Sequence, residues 1–193
     1  MKAILSEIRP AIVATIVFAV VCCGLYPLAV TVIAKVVFAD KANGSLIIDT
    51  NGTITGSELL GQNFTGESYF HPRPSAVDYN AASSGGSNLG PTSQKLADQI
   101  KERIANYRTI NGLPNVQSIP ADAVTASASG LDPHISPANA ALQAARVAKV
   151  RAMAPEKVKE LIAANTNKAS LGVLGEQGVN VLKLNIALDG LKE

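Results

Sequence analysis

The chain has 193 residues, 47% of them hydrophobic and 17% charged, with 17 Lys and Arg against 15 Asp and Glu. That length holds one ordinary domain, or a smaller domain and a membrane segment. The near-neutral balance lacks the clustered basic footprint of a nucleic-acid binder, and the only cysteines, Cys22 and Cys23, lie inside an apolar run, which leaves the rest of the chain without a disulfide or a thiolate metal site.

From Pro10 to Ala34 run 25 residues without a charge, PAIVATIVFAVVCCGLYPLAVTVIA, and the apolar character resumes after Lys35 as VVFA. About 20 such residues cross the roughly 30 Å hydrocarbon core of a bilayer, so this run is predicted to be a transmembrane helix. Val37-Phe38-Ala39 has the form of a signal-peptidase site, but a secretory apolar region is only about 7 to 15 residues long. Val21 is too large for a lipoprotein site at Cys22. Pro27 removes one backbone donor inside the span and is predicted to kink it. Lys2 and Arg9 before the span are matched by Lys35 and Lys41 after it, so positive charge does not set the orientation. The short tail favours an inside N-terminus. Residues 1–39 are therefore read as tail and anchor, and residues 40–193 as one soluble, extracytoplasmic domain. Removing Lys2, Arg9, Lys35 and Glu7 from the count leaves 14 basic and 14 acidic residues in that domain, which is formally neutral.

The elements after the span follow from local signals. Leu46–Ile48 and Thr53–Thr55 flank Asp49-Thr50-Asn51-Gly52, and Asn-Gly between β-formers predicts a hairpin. In PTSQKLADQIKERIANYRTING, Leu96, Ile100, Ile104 and Tyr107 recur at helical spacing and Asn111-Gly112 is the stop. Ser136 followed by Pro137 reads as an N-cap and first helical residue, opening an alanine-rich helix to Met153. Pro155 opens a third helix with Val158, Leu161 and Ile162 inward. The end, GVNVLKLNIALDGL, reads as a strand over Val179–Leu184 followed by a helical turn. The fold class expected is α+β: one N-terminal transmembrane helix, then a single domain with a small sheet and about three helices.

Catalytic motifs are missing. There is no G-x-x-x-x-G-K-[ST] phosphate cradle, no G-x-S-x-G elbow and no H-E-x-x-H helix. His71, His134 and Asp132 make a weak metal set, and none is assigned. Ser129, Asp132 and His134 hold the letters of a hydrolase triad, but turn and cap chemistry accounts for SGLDPHISP without catalysis. Residues 71–93, HPRPSAVDYNAASSGGSNLGPTS, form a long irregular segment, which is either functional or disordered. Phe64, Tyr69, Phe70 and Tyr79 crowd beside it, four of the five aromatics after residue 40. Disordered segments are poor in aromatics, so this loop is expected to pack on its own domain or on a partner.

YFHPRPSAVDYN, SGGSNLGPTS, VTASASGLDPHISPANA and GVLGEQGVNVLKLNIALD, with the RPAI…GLYPLAV anchor, resemble the C subunit of bacterial Kdp-type potassium-transporting P-type ATPases over nearly the whole chain. The resemblance implies a non-catalytic subunit of an inner-membrane potassium uptake complex. Its partners would be a pore-forming subunit, the P-type ATPase subunit and a small accessory subunit. Its role would be assembly and catalytic chaperoning, raising the ATP affinity of the ATPase subunit. No cofactor is expected to be held firmly, and ATP would enter through the ATPase subunit. A nucleotide contact in this family would fall on Gln143. The interface with the pore subunit would fall on Tyr69, His71, Arg73, Ser75, Tyr79, Asn80, Ser87 and Asn88, with Asp132 and His134 from the DPHIS turn. Two rival readings are an anchored extracytoplasmic hydrolase using Ser129, Asp132 and His134, and a free-standing anchored binding protein.

Overall fold

A computed structural model describes residues 2–49, 51–169 and 171–191. The chain divides into two compact units between Ser57 and Glu58, so the hairpin goes with the apolar helix.

In the N-terminal unit, α1 (Lys2–Phe18) runs through a π-helical segment (Ala19–Leu25) into α2 (Tyr26–Val37). From Ser6 to Val37 this is a continuous 32-residue apolar helix with none of its surface buried, long enough to cross a membrane. The predicted site of disturbance at Pro27 takes the form of the π segment, in which the Tyr26 N–H donates to the Val21 carbonyl five residues back. Proline has no N–H, and its ring crowds the carbonyl four residues earlier. Widening the preceding turns relieves that contact. The hydroxyls of Thr15 and Thr31 donate to the carbonyls of Ala11 and Pro27 at 2.8 and 2.7 Å, which hides them from an apolar surrounding.

A short turn of helix, α3 (Ala39–Ala42), leads to the antiparallel pair β1 (Leu46–Ile48) and β2 (Ile54–Ser57). The hairpin predicted from Asn51-Gly52 is present: Gly52 has φ +78°, and its N–H donates to Asp49 O at 2.9 Å. Thr50 of that turn lies outside the described residues.

The C-terminal unit is built on α4 (Gln94–Asn111), α5 (Pro137–Val150), α6 (Pro155–Ala164) and α7 (Val181–Asp189) with a three-stranded antiparallel sheet. Its strands are β3 (His134–Ile135), β4 (Thr166–Asn167) and β5 (Gly178–Asn180), in the order β3-β5-β4. The caps fall where side-chain chemistry places them. Ser93, Ser136 and Asn180 each accept an N–H from the first turn of α4, α5 and α7, and Gly112 closes α4 at φ +63°.

One element differs from its expected form. The strand read over Val179–Leu184 stops at Asn180 and the helix begins at Val181. Asn180 caps that helix through Lys183 N–H at 3.0 Å, and Val181, Leu184 and Leu188 then fall on one buried face. The alternation taken for strand is the opening of a fourth helix. The core gathers Phe70, Ile135, Val147, Val158, Val179, Leu184 and Leu188 between α5, α6, α7 and β5.

Candidate docking site

The irregular segment 66–93 runs across the C-terminal unit, and the fold fixes it in two ways. The first is a pair of side-chain amides acting as strand edges. Asn185 of α7 accepts from Phe70 N–H at 2.9 Å and donates to Phe70 O at 3.0 Å. Gln143 of α5 does the same to the next residue, accepting from His71 N–H at 2.7 Å and donating to His71 O at 3.1 Å. Both amides are 1% exposed. The remaining capacity of Gln143 is also used, because it donates to Asn139 Oδ1 at 2.9 Å and accepts from Arg146 Nη2 at 3.0 Å. Asn139 in turn takes the Tyr107 hydroxyl at 2.7 Å and donates to Asp122 at 2.9 Å.

Arg146 completes this buried network, donating to Asn111 Oδ1 at 2.9 Å and to the Glu67 carbonyl. Burial pulls its pKa below the ordinary arginine value. Arg151, whose side chain is 3% exposed, ties the ends of α5 and α7 to the same segment. It donates to Ser68 O at 2.6 Å, to Leu188 O at 3.0 Å and to Asp189 at 2.8 Å, and it lies 4.9 Å from the Tyr69 ring. Neither arginine stands out in the sequence, because a basic residue in or just after an alanine-rich helix carries no local sign of such a role.

The second device is a staple to the turn 127–132. Ser75 Oγ donates to Gly130 O at 2.7 Å and accepts from the N–H groups of Val77 and Tyr79, Ser84 Oγ donates to Ser129 O at 3.0 Å, and Gly85 N–H donates to Ser129 O at 2.9 Å. The Tyr79 hydroxyl donates to Arg73 O, and burial pushes its pKa up to about 12. Gly130 makes the close approach possible. It sits at φ +67°, and a Cβ there would lie 2.6 Å from Val77 Cγ2 and 2.8 Å from Gly85 O.

Beside the staple is a cleft of about 580 Å³ lined by Arg73, Asp122, Asp132, His134, Asn167 and Gln177, among others. Arg73 Nη1 pairs with Asp132 Oδ2 at 3.0 Å, with both side chains about one-quarter exposed, while Arg73 Nε is buried with no acceptor among the described residues. Asp132 Oδ1 accepts the His134 N–H at 2.9 Å and lies 3.6 Å from His134 Nδ1. Burial raises the Asp132 pKa, but the hydrogen bonds from His134 and Arg73 outweigh it and hold the carboxyl below its usual range.

The sequence-predicted residues therefore separate into two sets. Tyr69, Arg73, Ser75, Tyr79, Asp132 and His134 make contacts within their own unit, and His71 is half-buried with its Nε2 at 3.0 Å from Gly66 O. Asn80, Ser87 and Asn88 are exposed, and Asn80 also accepts the Ala82 N–H at 3.0 Å as the cap of a short helical turn. Ser129, Asp132 and His134 do not form a hydrolytic relay. Ser129 Oγ accepts from Leu131 N–H at 3.1 Å, and the outer ring nitrogen of His134 is occupied by the Asn167 amide at 3.0 Å. A triad needs that nitrogen on the nucleophile. Among the described residues, no three His, Cys, Asp or Glu side chains converge as metal ligands do. The arrangement suits recognition: a fixed ion pair in an open cleft, beside a rigid loop.

Comparison with known proteins gives the lineage. Residues 8–190 match the family described as KdpC, the K+-transporting ATPase c chain. The chain belongs to the KdpC family. The potassium-transporting ATPase KdpC subunit of Geobacter sulfurreducens is 50% identical over 190 residues, covering 97% of this chain and 99% of the relative. That of Mycobacterium tuberculosis H37Rv is 49% identical over 187 residues, covering 96% and 98%. The KdpC subunit of Koribacter versatilis is 47% identical over 192 residues, covering 98% and 95%. The family match takes in the apolar helix, the stapled loop and α7 alike.

Proposed function

We propose that this chain is a non-catalytic subunit of a potassium-transporting ATPase, held in the bacterial inner membrane by its one apolar helix. The observation that carries this reading is near-full-length identity of 47 to 50% to proteins named potassium-transporting ATPase KdpC subunits. The partners are the pore-forming, ATPase and small accessory subunits of such a complex. The exposed residues Asn80, Ser87 and Asn88 of the loop and the mouth of the Arg73–Asp132–His134 cleft are the contact surface. A loop that is already rigid costs less conformational entropy to dock than one ordered at the moment of binding.

The C-terminal unit lies outside the cytoplasm, and this subunit raises the ATP affinity of the ATPase subunit through the membrane-embedded partners rather than by touching nucleotide. What supports this is the state of Gln143: with all its polar positions engaged internally, a nucleotide contact would release the clamp on His71. Mild detergent extraction of native membranes, followed by mass spectrometry of what accompanies the chain, should recover the pore and ATPase subunits. Recovery of the chain alone would overturn the proposal. In the purified complex, loss of this subunit should raise the KM for ATP more than it lowers kcat.

A further inference from the structure

We propose that one face of the β1–β2 hairpin lies in the headgroup region of the bilayer that the apolar helix crosses; the inference rests on the reading of that helix as a membrane span. Ile48 is paired directly opposite Ile54 and Leu46 stands two residues before Ile48; the register shifts between the Ile47 and Ile48 pairs, with Thr55 the extra residue on β2, so the alternation of β1 is kept and the three share one face of the ribbon. They are 41%, 60% and 59% exposed for Leu46, Ile48 and Ile54, whereas Ile47 on the opposite face is half-buried. A one-sided apolar surface of this kind needs an occupant.

Continuity with the span identifies it. Val36, Val37 and Phe38, at the end of the helix, are 78%, 61% and 56% exposed, so the apolar surface continues to the point where the linker begins. Between Val37 and Leu46 the chain includes the four-residue helix α3. At about 1.5 Å per helical residue and at most about 3.6 Å per extended one, this linker reaches no further than roughly 25 Å. Ser57 Oγ donates to Gly44 O at 2.7 Å, tying the far end of β2 back to that linker, and helix and hairpin belong to one compact unit. The hairpin is thus tethered to the end of the span, within reach of the polar layer of the leaflet, which is about 5 to 8 Å deep. Exposed aliphatic side chains on one face of a short ribbon suit that layer.

The chain has no tryptophan, so a single introduced indole reports its own surroundings. Ile48→Trp and Ile54→Trp would be compared with Phe18→Trp in the span and with Val116→Trp, a position 93% exposed. The full chain would be placed in phosphatidylethanolamine and phosphatidylglycerol nanodiscs with bromines either near the headgroup end or near the tip of the acyl chains. The hairpin indoles should emit to the blue of Val116→Trp, and the shallow bromines should quench them more than the deep ones. If they are quenched only by aqueous acrylamide, as Val116→Trp would be, while Phe18→Trp responds to lipid bromine, the span stands and the hairpin proposal falls. Blue-shifted emission with no bromine quenching would mean that protein covers the face, which also overturns it. If Phe18→Trp itself escapes bromine, the reading of the anchor fails and the proposal goes with it.

Discussion

Gln143 and Asn185 illustrate how a residue's role follows from what it faces. Each amide holds a neighbouring backbone unit in both directions, as the peptide of an adjacent strand would. Truncation leaves buried N–H and C=O groups without partners, at about 1 to 3 kcal/mol for each unsatisfied group. Gln143→Ala and Asn185→Ala should therefore each lower the stability of the full chain by on the order of 3 kcal/mol, read by denaturant unfolding in detergent. If Gln143→Ala keeps its stability while the assembled complex needs more ATP for half-maximal turnover, the clamp is not its role. His71 offers a pH test. Burial, followed by the nearby Arg146 charge, lowers its pKa from the ordinary 6.5. The unfolded chain therefore binds the proton more readily than the folded one. Its contribution is fully present above 6.5 and is lost as pH falls below that value towards the folded pKa. His71→Gln should flatten that part of the stability profile. Asp132, whose folded pKa is lowered, contributes above 3.8, and its share disappears only as pH falls through its folded value, so its loss begins further into acid than that of His71, which begins at 6.5.

At the scale of elements, the Gly-rich loop is ordered by backbone contact rather than by an apolar anchor alone. Gly130→Ala would place a methyl against backbone and Val77 at a positive φ. A left-handed conformation costs about 1 to 2 kcal/mol for a residue with a side chain, before any clash. We expect this variant to free residues 75–86 for limited proteolysis while α5 and α7 stay intact. Unchanged protection would show that the turn yields without cost. The π segment before Pro27 makes a different prediction. It inserts the equivalent of one residue, about 100° of helix rotation, so the faces of α1 are turned relative to those of α2. Pro27→Leu should restore regular α-helix and misalign these faces, weakening recovery of the partner subunits from detergent extracts. Full recovery would mark the proline as incidental.

For the whole molecule, orientation is the property that decides how the subunit can act. Positive charge is balanced at the two ends of the span, so only labelling fixes the side. With Cys22 and Cys23 changed to Ser, Val116→Cys should react with an impermeant maleimide added to intact spheroplasts. Reaction only after lysis would put the C-terminal unit in the cytoplasm and reopen direct nucleotide contact. With the unit outside, every effect on ATP use must pass through the span and its neighbours, and Pro27 becomes the first place in this chain to look for coupling.

The sequence by itself determined the apolar span, the Asn51-Gly52 turn, the cap at Ser136, the stop at Gly112, and the apolar faces of α4 and α6. Each of these depends on residues within a few positions of one another, where capping, turn and periodicity rules act. It also placed Tyr79 and Arg73 in a constrained loop, because aromatics so close to a Gly-Ser run are out of place in a disordered segment. Tertiary structure alone decided what those residues hold. Asn185 meets Phe70 across 115 positions and Gln143 meets His71 across 72, contacts that exist only once α5 and α7 are packed around the core. The same limit explains α7: its opening residues alternate as a strand does, and burial of Val181, Leu184 and Leu188 on one side tips them into a helix. A local pattern fixes what an element can become; which face finds an apolar neighbour is settled by the path of the rest of the chain.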